Sequence, residues 1–114
     1  MAFEVISRME SGDTAILTLI GELDAAAAPD LRREIELLAS GDTVTRLVLV
    51  LEELSYMASA GLRALVFAKQ KLGARVDLYL VGTQAPVVET IELTGFHRSV
   101  VMLETLELPG QATG

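Results

Sequence analysis

One serine in this chain stands where it could accept a chemical group. Ser59 follows an apolar run and opens a segment with helical spacing, and its neighbours Ala58 and Ala60 are small enough to leave its hydroxyl accessible. A serine at the start of a helix commonly acts as the N-cap, because its oxygen accepts a hydrogen bond from a first-turn backbone N–H. Those N–H groups and the helix dipole would also stabilise a phosphoryl group on the hydroxyl. Two hypotheses follow for Ser59, a helix cap and a phosphorylation site.

The chain offers little that could make this serine a nucleophile. Its one histidine, His97, follows the third predicted helix and is next to Arg98, a setting typical of a solvated loop residue. A hydrolase built on Ser59 and His97 is therefore a minor hypothesis. The acidic residues lack the alternation of a calcium loop, and there is no glycine-rich phosphate loop with its lysine. We expect a protein that is not an enzyme, with no catalytic residue, no metal and no cofactor.

Composition indicates a single acidic domain. The chain has 114 residues, 51% of them hydrophobic, and a net charge of -7. A chain of this length can bury one core, and its negative charge opposes binding to nucleic acid or to an anionic membrane. Cysteine is absent, the first residues lack the pattern of an export signal, and no apolar stretch could span a bilayer. We expect a cytoplasmic protein that contacts neither nucleic acid nor membrane.

Alternating strands and helices are predicted to position Ser59. Apolar runs rich in β-branched residues predict strands at 3–7, 14–20, 46–51, 76–82 and 99–103. Helical spacing, with proline near the start or glycine at the end, predicts helices at about 29–41, 59–72 and 84–95. The order β-β-α-β-α-β-α-β is typical of an α/β domain, a mixed sheet with packed helices whose central strands are parallel.

The helix that begins at Ser59 has two different faces. At 3.6 residues per turn, the face assigned to the sheet carries Gly61, Leu65, Ala68 and Leu72. The other face carries Ser59, Arg63, Val66, Phe67 and Gln70. Val66 and Phe67 form either an exposed patch for docking a protein or a partly buried margin of the core.

Three segments of the chain resemble a known family. The stretch LEELSYMASAGL (51–62) resembles the signature of STAS domains of the bacterial anti-sigma factor antagonists, in which a strand runs into an Asp-Ser-Ser/Thr-Gly-Leu turn. GELD (21–24) and LTGF (93–96) are similar to two further segments of that family. The resemblance extends from Phe3 to Glu104 and implies a STAS-like domain over residues 1–106, followed by a flexible tail at 107–114.

The resemblance also implies a function. In such antagonists the first serine of the turn, Ser59 here, is phosphorylated by a partner that is both a serine kinase and an anti-sigma factor. The unphosphorylated antagonist binds that partner and frees the sigma factor, phosphorylation breaks the complex, and a serine phosphatase restores it. The partner-binding site is therefore expected to comprise Asp24, Ala58, Ser59, Ala60, Gly61, Arg63, Val66, Phe67 and Gln70.

Two departures from the family pattern flank the serine. The aspartate that precedes it in the family is Ala58 here, and the second hydroxyl residue of the turn is Ala60. Asp24 remains as the carboxylate of the site, whereas the strand-end Asp or Asn of many relatives is Val50, and the C-terminal helix is weak or missing. These departures favour a second hypothesis, a non-phosphorylated STAS interaction module of another signalling or transport system.

Overall fold

The computed structural model describes residues 2–41 and 43–105. In chain order they form β1 (Glu4–Glu10), β2 (Thr14–Leu23), α1 (Ala28–Gly41), β3 (Arg46–Met57), α2 (Ser59–Leu72), β4 (Asp77–Val81), α3 (Ala85–Thr94), a 3-10 helix (Phe96–Ser99) and β5 (Val101–Leu103). The predicted α/β order is confirmed, with the 3-10 helix as an addition before the last strand. The predicted boundary between a domain at 1–106 and a tail at 107–114 lies outside the described residues.

The strands form one mixed sheet in the order β1-β2-β3-β4-β5. β1 and β2 are antiparallel, and every later pair is parallel. The hairpin turns at Ser11 and Gly12, whose φ angles of 58° and 80° suit the tight turns that join twisted antiparallel strands. Since β2 to β5 run the same way, their carboxyl ends meet at one edge of the sheet, where ligands of open α/β sheets commonly bind.

Helices cover one face of the sheet. The main core contains Leu31 and Ile35 of α1, Leu65 and Ala68 of α2, and Ile91 of α3, all fully buried against the strands. The opposite face carries a smaller buried cluster of Ile16, Val48, Tyr79 and Val81. Within residues 2–41 and 43–105, none of the helices combines the length and the apolar character needed to cross a membrane.

The third strand is longer than its apolar run predicts. The prediction ended it at Leu51, but it continues to Met57, with Leu54 and Met57 buried and the intervening polar side chains exposed. β4 pairs only with residues 46–50, so the second half of β3 pairs with β2 alone, across two register shifts. This extension carries the chain past the end of β4 before α2 begins.

Candidate functional site

The carboxyl ends of β2 and β3 bring two predicted site segments together. Leu23 pairs with Met57, and the Ala58 N–H donates to the Leu23 carbonyl oxygen at 2.9 Å. Asp24 and Ser59 therefore follow the two strands side by side. Gly61 makes this approach possible, because a Cβ there would lie 2.7 Å from both Cγ and the carbonyl oxygen of Leu23.

Ser59 is the first helical residue of α2, and it is exposed. The N-cap is Ala58, with an extended backbone (φ -78°, ψ 167°) and no side-chain hydrogen bond to the helix. The capping hypothesis for Ser59 is therefore wrong: the chain enters the helix one residue earlier. Since alanine has no side-chain acceptor, the first-turn N–H groups that helices leave unpaired are not capped by a side chain from the N-cap position.

Asp24 has a structural partner of its own. Its Oδ1 accepts a hydrogen bond from the Ala27 N–H at 2.9 Å, and its carbonyl oxygen accepts one from the Ala28 N–H at 3.0 Å. These bonds shape the turn that starts α1. The carboxylate is thus held in place beside the β3–α2 junction. Its other oxygen, Oδ2, takes no part in the bond to Ala27.

The end of β2 is acidic. Glu22, Asp24 and Asp30 line a cavity of about 260 Å³ together with Phe3 and three alanines. Glu22 pairs with Tyr56 of β3, which is 49% exposed and lies three residues before Ser59. Tyr56 was not predicted as a site residue, because buried residues recur at every third position here and the register shifts of β3 break the alternation that would have placed its side chain. Exposed tyrosines are common contact residues of protein interfaces.

The outer face of α2 is mostly polar. Ser59, Arg63 and Gln70 are exposed, Ala58 and Ala60 are partly buried, and Gly61 is buried. Val66 and Phe67 are partly buried and packed against the main core, and the Arg32 guanidinium lies 4.9 Å from the centroid of the Phe67 ring. Val66 and Phe67 therefore form a partly buried margin of the core and not a free apolar patch.

His97 does not form a catalytic pair with Ser59. It lies in the 3-10 helix, lines a different part of the sheet edge with Thr83 and Glu104, and makes no hydrogen bond to Ser59. The expectation of a solvated loop residue is also wrong, because His97 is partly buried and its Nδ1 has no exposed surface. Across the described ranges, no group of three His, Cys, Asp or Glu side chains could hold a metal ion.

Comparison with known proteins agrees with this architecture. The family model of the STAS domain matches residues 6–108. No curated protein sequence matches the chain. The solved structure of the anti-sigma factor antagonist SpoIIAA in its unphosphorylated form is 25% identical, with a TM-score of 0.71, and the alignment covers 91% of this chain and 89% of that one.

Two further solved structures have the same fold. An anti-sigma factor antagonist from Mycobacterium paratuberculosis is 25% identical, with a TM-score of 0.82, and the alignment covers 92% of this chain and 88% of that one. The STAS domain of a SulP transporter from Vibrio cholerae is 19% identical, with a TM-score of 0.64 and coverage of 87% and 78%. The last likeness concerns the fold alone.

Proposed function

The chain belongs to the STAS domain family, and we propose that it is an anti-sigma factor antagonist that is switched by phosphorylation of Ser59. The observation that carries the proposal is the place of Ser59, exposed as the first residue of a helix with no side-chain cap. Its partners would be a serine kinase that is also the anti-sigma factor and a serine phosphatase. It would act in the cytoplasm, as a regulator of transcription without catalytic activity of its own.

The helix terminus suits a phosphorylated serine. A phosphoryl group on the first helical residue lies close to the unpaired N–H groups and to the positive end of the α2 dipole. Alanine at the N-cap leaves those donors without a competing side-chain acceptor. The modified protein would therefore be stable, and the chain would not have to unfold or rearrange to carry the group.

The same phosphate would oppose the complex. Phosphorylation adds roughly 1.5 to 2 negative charges at neutral pH. A kinase must hold the phosphates of its nucleotide close to the serine it modifies, so the product would face like charge across the interface. Glu22, Asp24 and Asp30 already make this end of the sheet acidic. Release after phosphorylation is the expected consequence.

Mass spectrometry of the natural protein tests the proposal. We expect protein isolated from its own cells to include a form with one added phosphate, mapped to the peptide that contains Ser59. Incubation with ATP and the kinase-type anti-sigma factors of the same genome should produce it in vitro. Ser59→Ala should abolish the modification, whereas Ser40→Ala, at another exposed helical serine, should leave it unchanged. Absence of phosphate in both experiments would contradict the proposal.

A non-phosphorylated STAS module of another signalling or transport system is the second candidate. The observation in its favour is the pair of alanines around Ser59, which leaves a kinase no aspartate or second hydroxyl to recognise. In that case the partner recovered from cells would bind wild type, Ser59→Ala and Ser59→Asp with equal affinity.

A further inference from the structure

The first strand leaves one edge of the sheet open. β1 is the outermost strand, and among the described residues no strand pairs with its outer side. It has seven residues, whereas β5 at the opposite edge has three. Its pairing with β2 runs over its whole length without a register shift. A regular edge strand of this length offers a row of free N–H and C=O groups with which another strand can pair.

Large apolar side chains of this strand are exposed on both faces of the sheet. Val5 packs against the main core, so the alternation of side chains places Met9 on the same face and Ile6 on the opposite face. Ile6 is 48% exposed and Met9 is 46% exposed. Apolar side chains on an open edge strand favour association with a further strand.

The charges of β1 make the strand complementary to itself. Glu4 and Arg8 are both exposed, and each lies two residues from Ile6. In an antiparallel pair of two copies centred on Ile6, Glu4 of each copy therefore faces Arg8 of the other. Opposite charges directly across a ladder stabilise it, whereas like charges destabilise it. Charged residues commonly protect an edge strand from pairing, but here the two signs match.

Other symmetric registers lack this match. A two-fold axis perpendicular to the sheet keeps each face on its own side, so it must pass between two identical residues that face each other. An axis at Ser7 places glutamates opposite each other, an axis at Arg8 does the same with arginines, and an axis at Val5 pairs no opposite charges. An axis at Met9 restricts the ladder to residues 8–10.

We propose that two copies of this chain associate through β1, antiparallel and centred on Ile6, so that their sheets become continuous. The two Ile6 side chains meet at the two-fold axis, with an ion pair between Glu4 and Arg8 on each side of them. Every edge residue that one copy offers is satisfied by the same strand of the other. Such an interface is closed by its symmetry, so association stops at the dimer.

The dimer is independent of the proposed phosphorylation. One residue beyond the strand, Phe3 of one copy faces Met9 of the other, which covers part of the exposed Met9 side chain. β2 lies between this edge and the β3–α2 junction, so Ser59 stays exposed in the dimer. Ser59→Ala should therefore dimerise as the wild type does, and a failure of either proposal leaves the other standing.

Sedimentation equilibrium of the full chain tests the association. At about 150 mM salt, the net charge of -7 is screened beyond about 8 Å. We expect a monomer–dimer equilibrium with a Kd of about 1–100 µM, since an interface of one strand pair is small. A protein that stays monomeric up to about 1 mM overturns the proposal.

Exchange of the two charges tests the pairing. Arg8→Glu should raise the Kd at least about 10-fold, and Glu4→Arg combined with Arg8→Glu should restore it to within about 3-fold of wild type. Arg98→Glu is the control, because it changes the net charge equally at an exposed position beyond α3. The proposal is overturned if Arg98→Glu weakens the dimer as much as Arg8→Glu, or if the double variant is as weak as Arg8→Glu.

Single cysteines test the register in a chain that has no cysteine of its own. Ile6→Cys brings two sulfurs within disulfide reach, since facing residues of antiparallel strands have Cα atoms about 4.5–5.5 Å apart. Met9→Cys is the control, because Met9 is as exposed as Ile6, but in this register its two copies lie about 20 Å apart. Under mild oxidation, Ile6→Cys should form a disulfide-linked dimer and Met9→Cys should not. If Ile6→Cys does not cross-link, or if Met9→Cys cross-links as well, the proposal is wrong.

Discussion

Ser59 lies one position further into its helix than a capping residue, and this single step changes its role. An N-cap hydroxyl is occupied by its hydrogen bond to the first-turn backbone, whereas the hydroxyl of the first helical residue is not required as the cap. Alanine at position 58 supplies no replacement cap. The stability of this helix end therefore depends little on the Ser59 hydroxyl, which is free to be modified.

Substitution of Ser59 should separate folding from binding. Ser59→Asp places a negative charge at the α2 N-terminus, which stabilises a helix by about 0.3–1 kcal/mol, so its Tm should equal or exceed that of the wild type. Its affinity for the kinase-type partner should fall by about 10-fold or more, while Ser59→Ala binds constitutively. Calorimetry and titration measure the two quantities. If both variants lose binding, or if both keep it, a charge-driven switch is contradicted.

Gly61 is the residue that sets the distance between α2 and the end of β2. Gly61→Ala should destabilise the fold by about 1–3 kcal/mol, because its Cβ would meet Leu23 Cγ and the Leu23 carbonyl oxygen at 2.7 Å. This loss should exceed the gain of about 1 kcal/mol that alanine offers over glycine inside a helix. Gly41→Ala is the control, since its Cβ would meet nothing closer than 3.9 Å. Denaturant unfolding compares the two; equal effects would mean that the close approach carries no cost.

The Phe67 ring lies in the contact between α1 and α2. Its ring is packed against the core on one side, and the Arg32 guanidinium of α1 lies over it at 4.9 Å. Stacking of a guanidinium on an aromatic ring stabilises by about 0.5–1 kcal/mol at exposed sites. The two residues thus connect neighbouring helices, and a role of Phe67 in partner binding stays a prediction.

A double-mutant cycle with Phe67→Leu and Arg32→Gln measures this contact. The coupling free energy should be about 0.5–1 kcal/mol in unfolding experiments, and Phe67→Leu should leave partner affinity within about 2-fold of wild type, because leucine keeps most of the buried contact. Zero coupling, together with a large loss of partner affinity in Phe67→Leu, would show that Phe67 contacts the partner.

Regular elements were predictable where the pattern of side chains was simple. The amphipathic spacing of α2 predicted its bounds, Ser59 to Leu72, because one buried stripe runs its whole length. β3 was predicted only to Leu51, since its second half is buried on one face alone and is polar on the other. The stacking of Arg32 on Phe67 and the burial of Thr83 Oγ1 and His97 Nδ1 arise from contacts between distant segments. No local sequence pattern contains them.

The molecule as a whole presents one acidic surface with two cavities along one edge of the sheet. The cavity beside Asp24 and the cavity beside His97 are both lined by three carboxylates, in a chain with a net charge of -7. Charge of one sign accelerates the encounter with a partner of opposite sign and is screened by salt. A partner that docks near Asp24 is therefore expected to carry basic side chains at the rim of its contact surface, away from the nucleotide phosphates that would face Ser59.

Ionic strength should control the speed of that encounter. Between about 50 mM and about 300 mM salt, the association rate constant with the kinase-type partner should fall by roughly 10-fold or more, with a smaller change in the dissociation rate constant. Stopped-flow measurements give the association and dissociation rate constants separately. Neutralising Glu22 by Glu22→Gln should reduce the salt dependence, and Glu10→Gln, away from the site at the start of the hairpin turn, should change it less. A rate independent of salt would rule out steering by the acidic surface.

The hydrogen bond from Ala58 to Leu23 and the contact of Gly61 with the same residue have one more consequence. They hold the start of α2 against the end of β2, so we expect the backbone beneath Ser59 to keep its position when the side chain is modified. Phosphorylation of Ser59 would then change the charge of this surface and not its shape. Only a partner that contacts Ser59 directly would respond to the phosphate, and no distant part of the molecule would transmit it.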